Sequence, residues 1–229
     1  MAAVFKKHAR PSVASVEWTA VAVGTTTGVF TTKEAAADAA GSHPCPLVWG
    51  GHPTEDAAAA VVAAFRDADA VLYTDGACSN NGKYGARAGV GVYIGEKHPD
   101  NVSRAVRGQP TNIVAELEAL QDALAVVASR VALRTARLVV IATDSKYAVD
   151  AVMTWVPKWR TGDRWLTAKG EPVKHRQLLT DITDALTVLP NVRMVHVRGH
   201  AGIWGNTQAD ALARAGVPAA PAAPATGMC

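Results

Sequence analysis

The sequence predicts an α/β fold: a five-stranded mixed sheet flanked by helices, preceded by a small α+β module. Two observations carry this. After residue 70, short β-branched runs alternate with helical patterning in the order βββαβα…αβα. The 229 residues are 49% hydrophobic and 19% charged, enough apolar content for a core of ordinary size. The charge changes sign along the chain, from −2 over residues 1–70 to +5 over residues 71–229, so a polyanionic partner would belong to the C-terminal part.

Residues 1–16 hold three bases and no acid and read as a flexible arm or a weak mitochondrial presequence. Residues 17–65 read as the small module. Residues 18–23 alternate like a strand, Gly24 to Gly28 form a turn, and Val29-Phe30 resume the extended run. Thr32 caps a helix through Ala40, Leu47-Val48-Trp49 form a short strand, and Thr54-Glu55-Asp56 open a helix through Phe65. Residues 66–70 are the linker, and residues 71–217 form the main domain.

Within that domain, strands are expected over residues 71–75, 85–95, 103–107, 138–142 and 193–197. Helices are expected over 112–128, 146–155, 176–189 and 204–215, the first carrying Leu117, Leu120, Leu124 and Val127 at helical spacing. The Ala/Pro-rich tail, 218–229, is expected to be disordered.

Composition excludes several classes. No apolar run reaches the ~18 residues of a membrane span, so no membrane role is expected. Cys45, Cys78 and Cys229 are odd in number and widely spaced, which disfavours a zinc ribbon or a dithiol site and suits a reducing compartment. The expected location is therefore intracellular, cytoplasmic or nuclear.

Acids stand out at the ends of apolar strands. Asp75 follows Val-Leu-Tyr-Thr and Asp144 follows Val-Val-Ile-Ala-Thr. Carboxylates at the ends of adjacent strands repel unless a cation or proton lies between them, and hard oxygen ligands suit Mg²⁺. Glu116 lies one turn into a helix and Asp210 lies on the last one. Each acid alone has an ordinary reading as a turn residue, a cap or a solvated helix position. The four together, with His200 on a glycine-hinged loop before Asp210, point to a metal-assisted site.

The motifs Tyr-Thr-Asp75-Gly-Ala-Cys-Ser-Asn-Asn-Gly, Thr111-Asn112-Ile-Val-Ala-Glu116-Leu, Ala-Thr-Asp144-Ser and Gly-His200-Ala-Gly-Ile-Trp-Gly-Asn-Thr-Gln-Ala-Asp210 occur in this order. Through them residues 71–216 resemble type 1 ribonuclease H. The resemblance implies an endoribonuclease that cuts the RNA strand of RNA/DNA hybrids by two-metal-ion catalysis, leaving 5′-phosphate and 3′-hydroxyl ends. It implies that Asp75, Glu116, Asp144 and Asp210 bind two Mg²⁺ ions, with Mn²⁺ as the alternative, and that Asp75 bridges them. His200 would aid proton transfer or product release.

The resemblance also places substrate contacts. Cys78, Ser79, Asn81 and Asn112, with Thr111 beside them, match positions that meet 2′-hydroxyls in the hybrid minor groove, while Asn81-Gly82 also reads as a tight turn. Residues 155–176 carry six bases, two acids and three tryptophans, resembling a basic handle. Tyr147 and Trp155 match aromatic positions near the DNA strand; Trp159 and Trp165 read as core of a helical hairpin. Arg107, Thr111 and His175 are the expected DNA phosphate pocket, His175 standing where the family usually has asparagine.

Residues 17–65 resemble the hybrid-binding (viroplasmin-like) module that precedes many eukaryotic ribonucleases H, with Lys33, Gly50 and Gly51 departing from its pattern and Trp49 keeping an aromatic position. Residues 17–70 have a net charge of −5, so weak or no hybrid binding is expected of this module, and a protein partner is the other role open to it. A monomer is expected. The competing reading is a non-catalytic nucleic-acid-binding or scaffold protein on the same fold.

Overall fold

The computed structural model describes residues 18–23, 27–41, 47–52, 54–162, 165–199 and 203–219. The arm at 1–16, His200 and all of the tail beyond residue 219 lie outside the described residues.

The first unit has strands β1 (Trp18–Val23) and β2 (Gly28–Phe30), helix α1 (Lys33–Ala40), strand β3 (Leu47–His52) and helix α2 (Glu55–Arg66). The strands form an antiparallel sheet in the order β2-β1-β3. Thr32 caps α1, its side chain accepting from Ala35 N–H at 3.2 Å.

The second unit begins with β4 (Ala70–Ser79), β5 (Arg87–Tyr93) and β6 (Val102–Ala105), followed by α3 (Asn112–Ser129), α4 (Val131–Arg134) and β7 (Val139–Thr143). Then come α5 (Lys146–Asp150), a π-helical turn (Ala151–Trp155), α6 (Val156–Thr161), α7 (Arg176–Val188), β8 (Val192–His196) and α8 (Trp204–Ala215). The sheet order is β6-β5-β4-β7-β8. β4 pairs antiparallel with β5 and parallel with β7, which gives the expected mixed sheet.

Alternation along the strands sorts two cores. Leu72, Val139 and Ile141 face α3 and α7, joining Leu117, Leu120, Leu124, Leu179 and Ile182. Val71, Tyr73, Val140 and Ala142 lie in a second cluster with Ala209 and Leu212 of α8. That cluster also takes in Ala58, Val61, Val62 and Phe65 of α2. The small unit therefore shares a core with the main sheet.

Several boundaries differ from the sequence expectation. β4 runs to Ser79 because its pairing with β5 continues as far as Ser79↔Arg87. The helix expected over 146–155 continues to Thr161, with a π-helical turn ahead of Pro157, which lacks the N–H an α-helical ladder needs. α4 carried no periodic signal in its four residues. The expected linker 66–70 shrinks to residues 67–69, because α2 includes Arg66 and β4 starts at Ala70. Those residues are tied down: Asp69 N–H donates to the Leu138 carbonyl at 2.8 Å, and the Asp69 carboxylate accepts from Arg137 N–H at 2.6 Å.

Glycines set the layer spacing. A Cβ on Gly89 or Gly91 of β5 would meet the backbone oxygens of Ala213 and Ala209 at 2.2 and 2.1 Å. The glycine-rich strand thus lets α8 lie directly on the sheet. A Cβ on Gly76 would come 2.4 Å from Glu116 N, so α3 starts equally close to β4.

Candidate active site

The parallel register of β4 and β7 pairs Thr74 with Thr143. Each threonine precedes an aspartate, so Asp75 and Asp144 emerge side by side. Asp75 lies within β4, opposite Gly91 of β5, rather than at a strand end as the sequence suggested. Asp144 follows the last residue of β7. The close approach at Gly76 brings Glu116, in the second turn of α3, over the same spot.

Asp75, Glu116 and Asp144 each offer an oxygen, all within 4.8 Å of one another. Asp75 and Glu116 are buried, and Asp144 is half-buried. Burial, and then the charge of Asp144, push Asp75 up to about 7; Gly76 N–H, donating to Asp75 Oδ1 at 2.8 Å, works against this. Burial and the charges of Asp75 and Asp144 likewise hold Glu116 well above the usual carboxylate range. Among the described residues, Glu116 Oε2 is buried with no hydrogen-bond partner. Three converging hard oxygens, beside an orphaned Glu116 oxygen, fit a divalent cation, which would relieve the repulsion.

Asp210 adjoins this triad, its side chain within hydrogen-bond reach of Asp75. It lines the same groove and its charge contributes to the rise at Asp75, while its Oδ1 accepts from Arg214 Nε at 2.9 Å, one helical turn on. His200 lies outside the described residues.

The groove around the triad has a volume of about 950 Å³. Cys78, Ser79 and Asn112 line it, together with Arg87, Lys146 and Arg214, which put positive charge on its rim. Asn81 is exposed, and its Oδ1 accepts from Asn112 N–H at 3.1 Å, tying the β4–β5 turn to the start of α3. The turn reading of this segment holds as well: Lys83 N–H donates to the Asn80 carbonyl, and Asn80 and Gly82 have φ of 55° and 73°. Thr111 caps α3, accepting from Val114 N–H at 3.2 Å.

Arg107, expected in the DNA phosphate pocket, is largely exposed. It does not line the groove; its guanidinium donates to Asp122 at 3.0 Å. It belongs to a network the sequence reading missed. Arg104 bridges Glu118 and Asp122 at 2.7 and 2.6 Å, and Glu118 also accepts from the N–H groups of Arg107 and Gly108. Burial pushes Glu118 up, but these donors outweigh it and hold Glu118 below the usual carboxylate range. The i, i+4 spacing of Glu118 and Asp122 on α3 was the available signal.

A second, more apolar groove of about 610 Å³ adjoins the first, since Ile113 and Tyr147 line both. Trp155, Trp159 and His175 complete one side. Tyr147 meets Trp155 edge-on at 5.7 Å, and the ring chain continues to Trp159 and Trp165. All three tryptophans pack on the core, and Arg176 stacks over Trp165 at 4.8 Å. His175 adopts a left-handed conformation at the start of α7, with φ of 60°, where asparagine would sit with less strain. Burial and the neighbouring Lys174 lower its pKa.

Comparison with known proteins fits this geometry. The RNase H family model matches residues 67–218. Ribonuclease H1 of Rattus norvegicus is 38% identical over 146 residues, covering 64% of this chain and 49% of its own length. Ribonuclease H of Schizosaccharomyces pombe is 39% identical over 147 residues, covering 64% and 52%. The chain thus spans about half the length of these eukaryotic relatives. Ribonuclease H of Bordetella avium is 38% identical over 146 residues and is covered to 88%. Among solved structures, a foamy viral protease-reverse transcriptase in complex with dsDNA aligns with a TM-score of 0.54 at 27% identity, over 66% of this chain and 94% of that one. The same viral enzyme in complex with an RNA/DNA hybrid aligns at 0.53 and 26% identity, over 66% of this chain and 20% of that one. With five strands in this order, three acids converging at the β4–β7 register and a family match across the whole second unit, this chain belongs to the RNase H family.

Proposed function

We propose that this protein is an endoribonuclease that hydrolyses the RNA strand of RNA/DNA hybrids, leaving 5′-phosphate and 3′-hydroxyl ends. The observation that carries the reading is the convergence of Asp75, Glu116 and Asp144 within 4.8 Å, in a groove rimmed by Arg87, Lys146 and Arg214. These three acids, with Asp210 at the edge, would hold two divalent ions, Mg²⁺ first. When bound, the ions supply an activated water and charge stabilisation at the leaving 3′ oxygen. Asp75, buried on the sheet and pressed by Asp144 and Asp210, would be one of the ligands.

The other residues orient substrate. Cys78, Ser79 and Asn112 face the groove where 2′-hydroxyls of an RNA strand would pass. Tyr147 and Trp155 offer apolar ring surface in the adjoining groove for the sugars of the DNA strand, with His175 at the same wall. Thr111 holds the start of α3. His200 is assigned to proton transfer or product release. The N-terminal unit, with its net acidic charge, adds little affinity for hybrid.

The test is cleavage of an end-labelled hybrid by the purified chain with Mg²⁺, with EDTA and beside Asp144→Asn. Single-stranded RNA and double-stranded RNA are the controls. Internal cuts confined to hybrid RNA and lost in both controls of the site support the reading. A folded protein that binds hybrid without cutting it in Mg²⁺ or Mn²⁺ refutes it in favour of a binding protein.

A further inference from the structure

α8 presents more than Asp210 to the groove. Asn206, Asp210 and Arg214 recur every four residues and so share one helix face. Asn206 is only 5% exposed. Its Nδ2 donates to Asp144 Oδ2 at 3.0 Å, and its Oδ1 has no partner among the described residues. A half-satisfied amide in this place costs stability, and the hydrogen bond that its donor makes to Asp144 is what offsets that cost. Its position is therefore better explained by what its donor does than by packing.

Asp144 lies just beyond β7, half-buried and outside the strand pairing. Asn206 engages one of its oxygens. Gly199 closes the other side: a Cβ there would stand 2.7 Å from the same Oδ2. We propose that Asn206 is a positioning residue for Asp144, its amide holding one carboxylate oxygen so that the other faces Asp75 and Glu116. The inference rests on the divalent-ion reading above. Without the amide, Asp144 is free to turn from the two acids that repel it, and the ligand set opens. Loss of such an orienting partner weakens metal affinity by about 10–100-fold.

The experiment uses the full chain as wild type, Asn206→Leu and Asn206→Ala. Mg²⁺ binding is followed without substrate, by calorimetry and by the Mg²⁺-dependent rise in melting temperature. Hybrid affinity is measured in EDTA. Asn206→Leu should melt in EDTA within a few degrees of wild type or above it, and bind hybrid unchanged. It should need about 10–100-fold more Mg²⁺ for half-saturation. A Mg²⁺ midpoint within twofold of wild type in either folded variant overturns the inference and leaves the divalent-ion reading intact. A wild type that shows no Mg²⁺ response fails that reading and this inference with it. If both variants melt far below wild type in EDTA, Asn206 is a structural residue and the inference is wrong.

Discussion

Replacing Asp75 by asparagine should abolish cleavage and stabilise the metal-free protein. Asp75 has its pKa raised from 3.8 to about 7 by burial and by Asp144. Below pH 3.8 the carboxyl is neutral in both folded and unfolded chains, and it contributes nothing. As pH rises, the unfolded chain ionises first while the fold retains the proton, so stability falls until the folded carboxyl titrates near 7. At about 1.4 kcal/mol for each pH unit, the full cost by pH 8 is about 4 kcal/mol. Asparagine carries no charge, and its Oδ1 can still accept from Gly76 N–H. Part of the gain is shared with Glu116, whose ionisation is opposed by the same neighbours, so ~2–4 kcal/mol is expected, or roughly 5–15 °C in melting temperature. The assay is calorimetric melting in EDTA at pH 4.5 and pH 8. The variant should exceed wild type at pH 8, and the gap should shrink to about 1 kcal/mol or less at pH 4.5. Adding Mg²⁺ at pH 8 should raise wild type more than the variant. A variant that melts at or below wild type at pH 8, or a gap that ignores pH, would refute the argument that these acids are held against their repulsion.

Other outcomes follow from the packing and the charge network. Glu118→Ala strips three donors of their acceptor beside the guanidinium of Arg104 and should cost about 3–5 kcal/mol, read by urea unfolding. A loss under 1 kcal/mol would show that water replaces the carboxylate. Gly76→Ala drives a methyl against Glu116 N and should lower both melting temperature and cleavage rate; unchanged activity would mean that α3 can shift without moving Glu116. Phe65→Ala, although in the small unit, should destabilise the main domain by about 3–5 kcal/mol, because its ring lies in the shared core. Hydrogen exchange on β7 would register this. Trp155→Ala should weaken hybrid binding in EDTA by about 1–3 kcal/mol, and an affinity within twofold of wild type would remove the tryptophan from the DNA path.

Local signals carried much of the architecture. Val-Val-Ile-Ala-Thr could only be a buried strand, and the leucines of α3 fall at helical spacing because one face meets the sheet. The acids were conspicuous for a simple reason: a carboxylate ending an apolar strand has few cheap partners. What composition and spacing could not contain was distance. Glu118 and Asp122 look like ordinary solvated helix charges until β6 brings Arg104 against them. Arg107 reads as a cation for phosphate, and only the structure shows that one of its guanidinium nitrogens is held by Asp122. The small unit reads as separate because its sequence has its own turns and helices, yet Phe65 joins one cluster with Val140 and Ala142 of β7, which is far along the chain. The same holds within the site. The sequence named Asp75, Glu116, Asp144 and Asp210 as a set, but the β4–β7 register and the missing Cβ of Gly76 decided that three of them crowd together. Asp210 meets Asp75 from α8 while its Oδ1 also accepts from Arg214. Residue type and spacing determine which groups can do the chemistry; long-range packing of strands and helices decides which of them meet, because burial and repulsion depend on neighbours that the linear order does not place side by side.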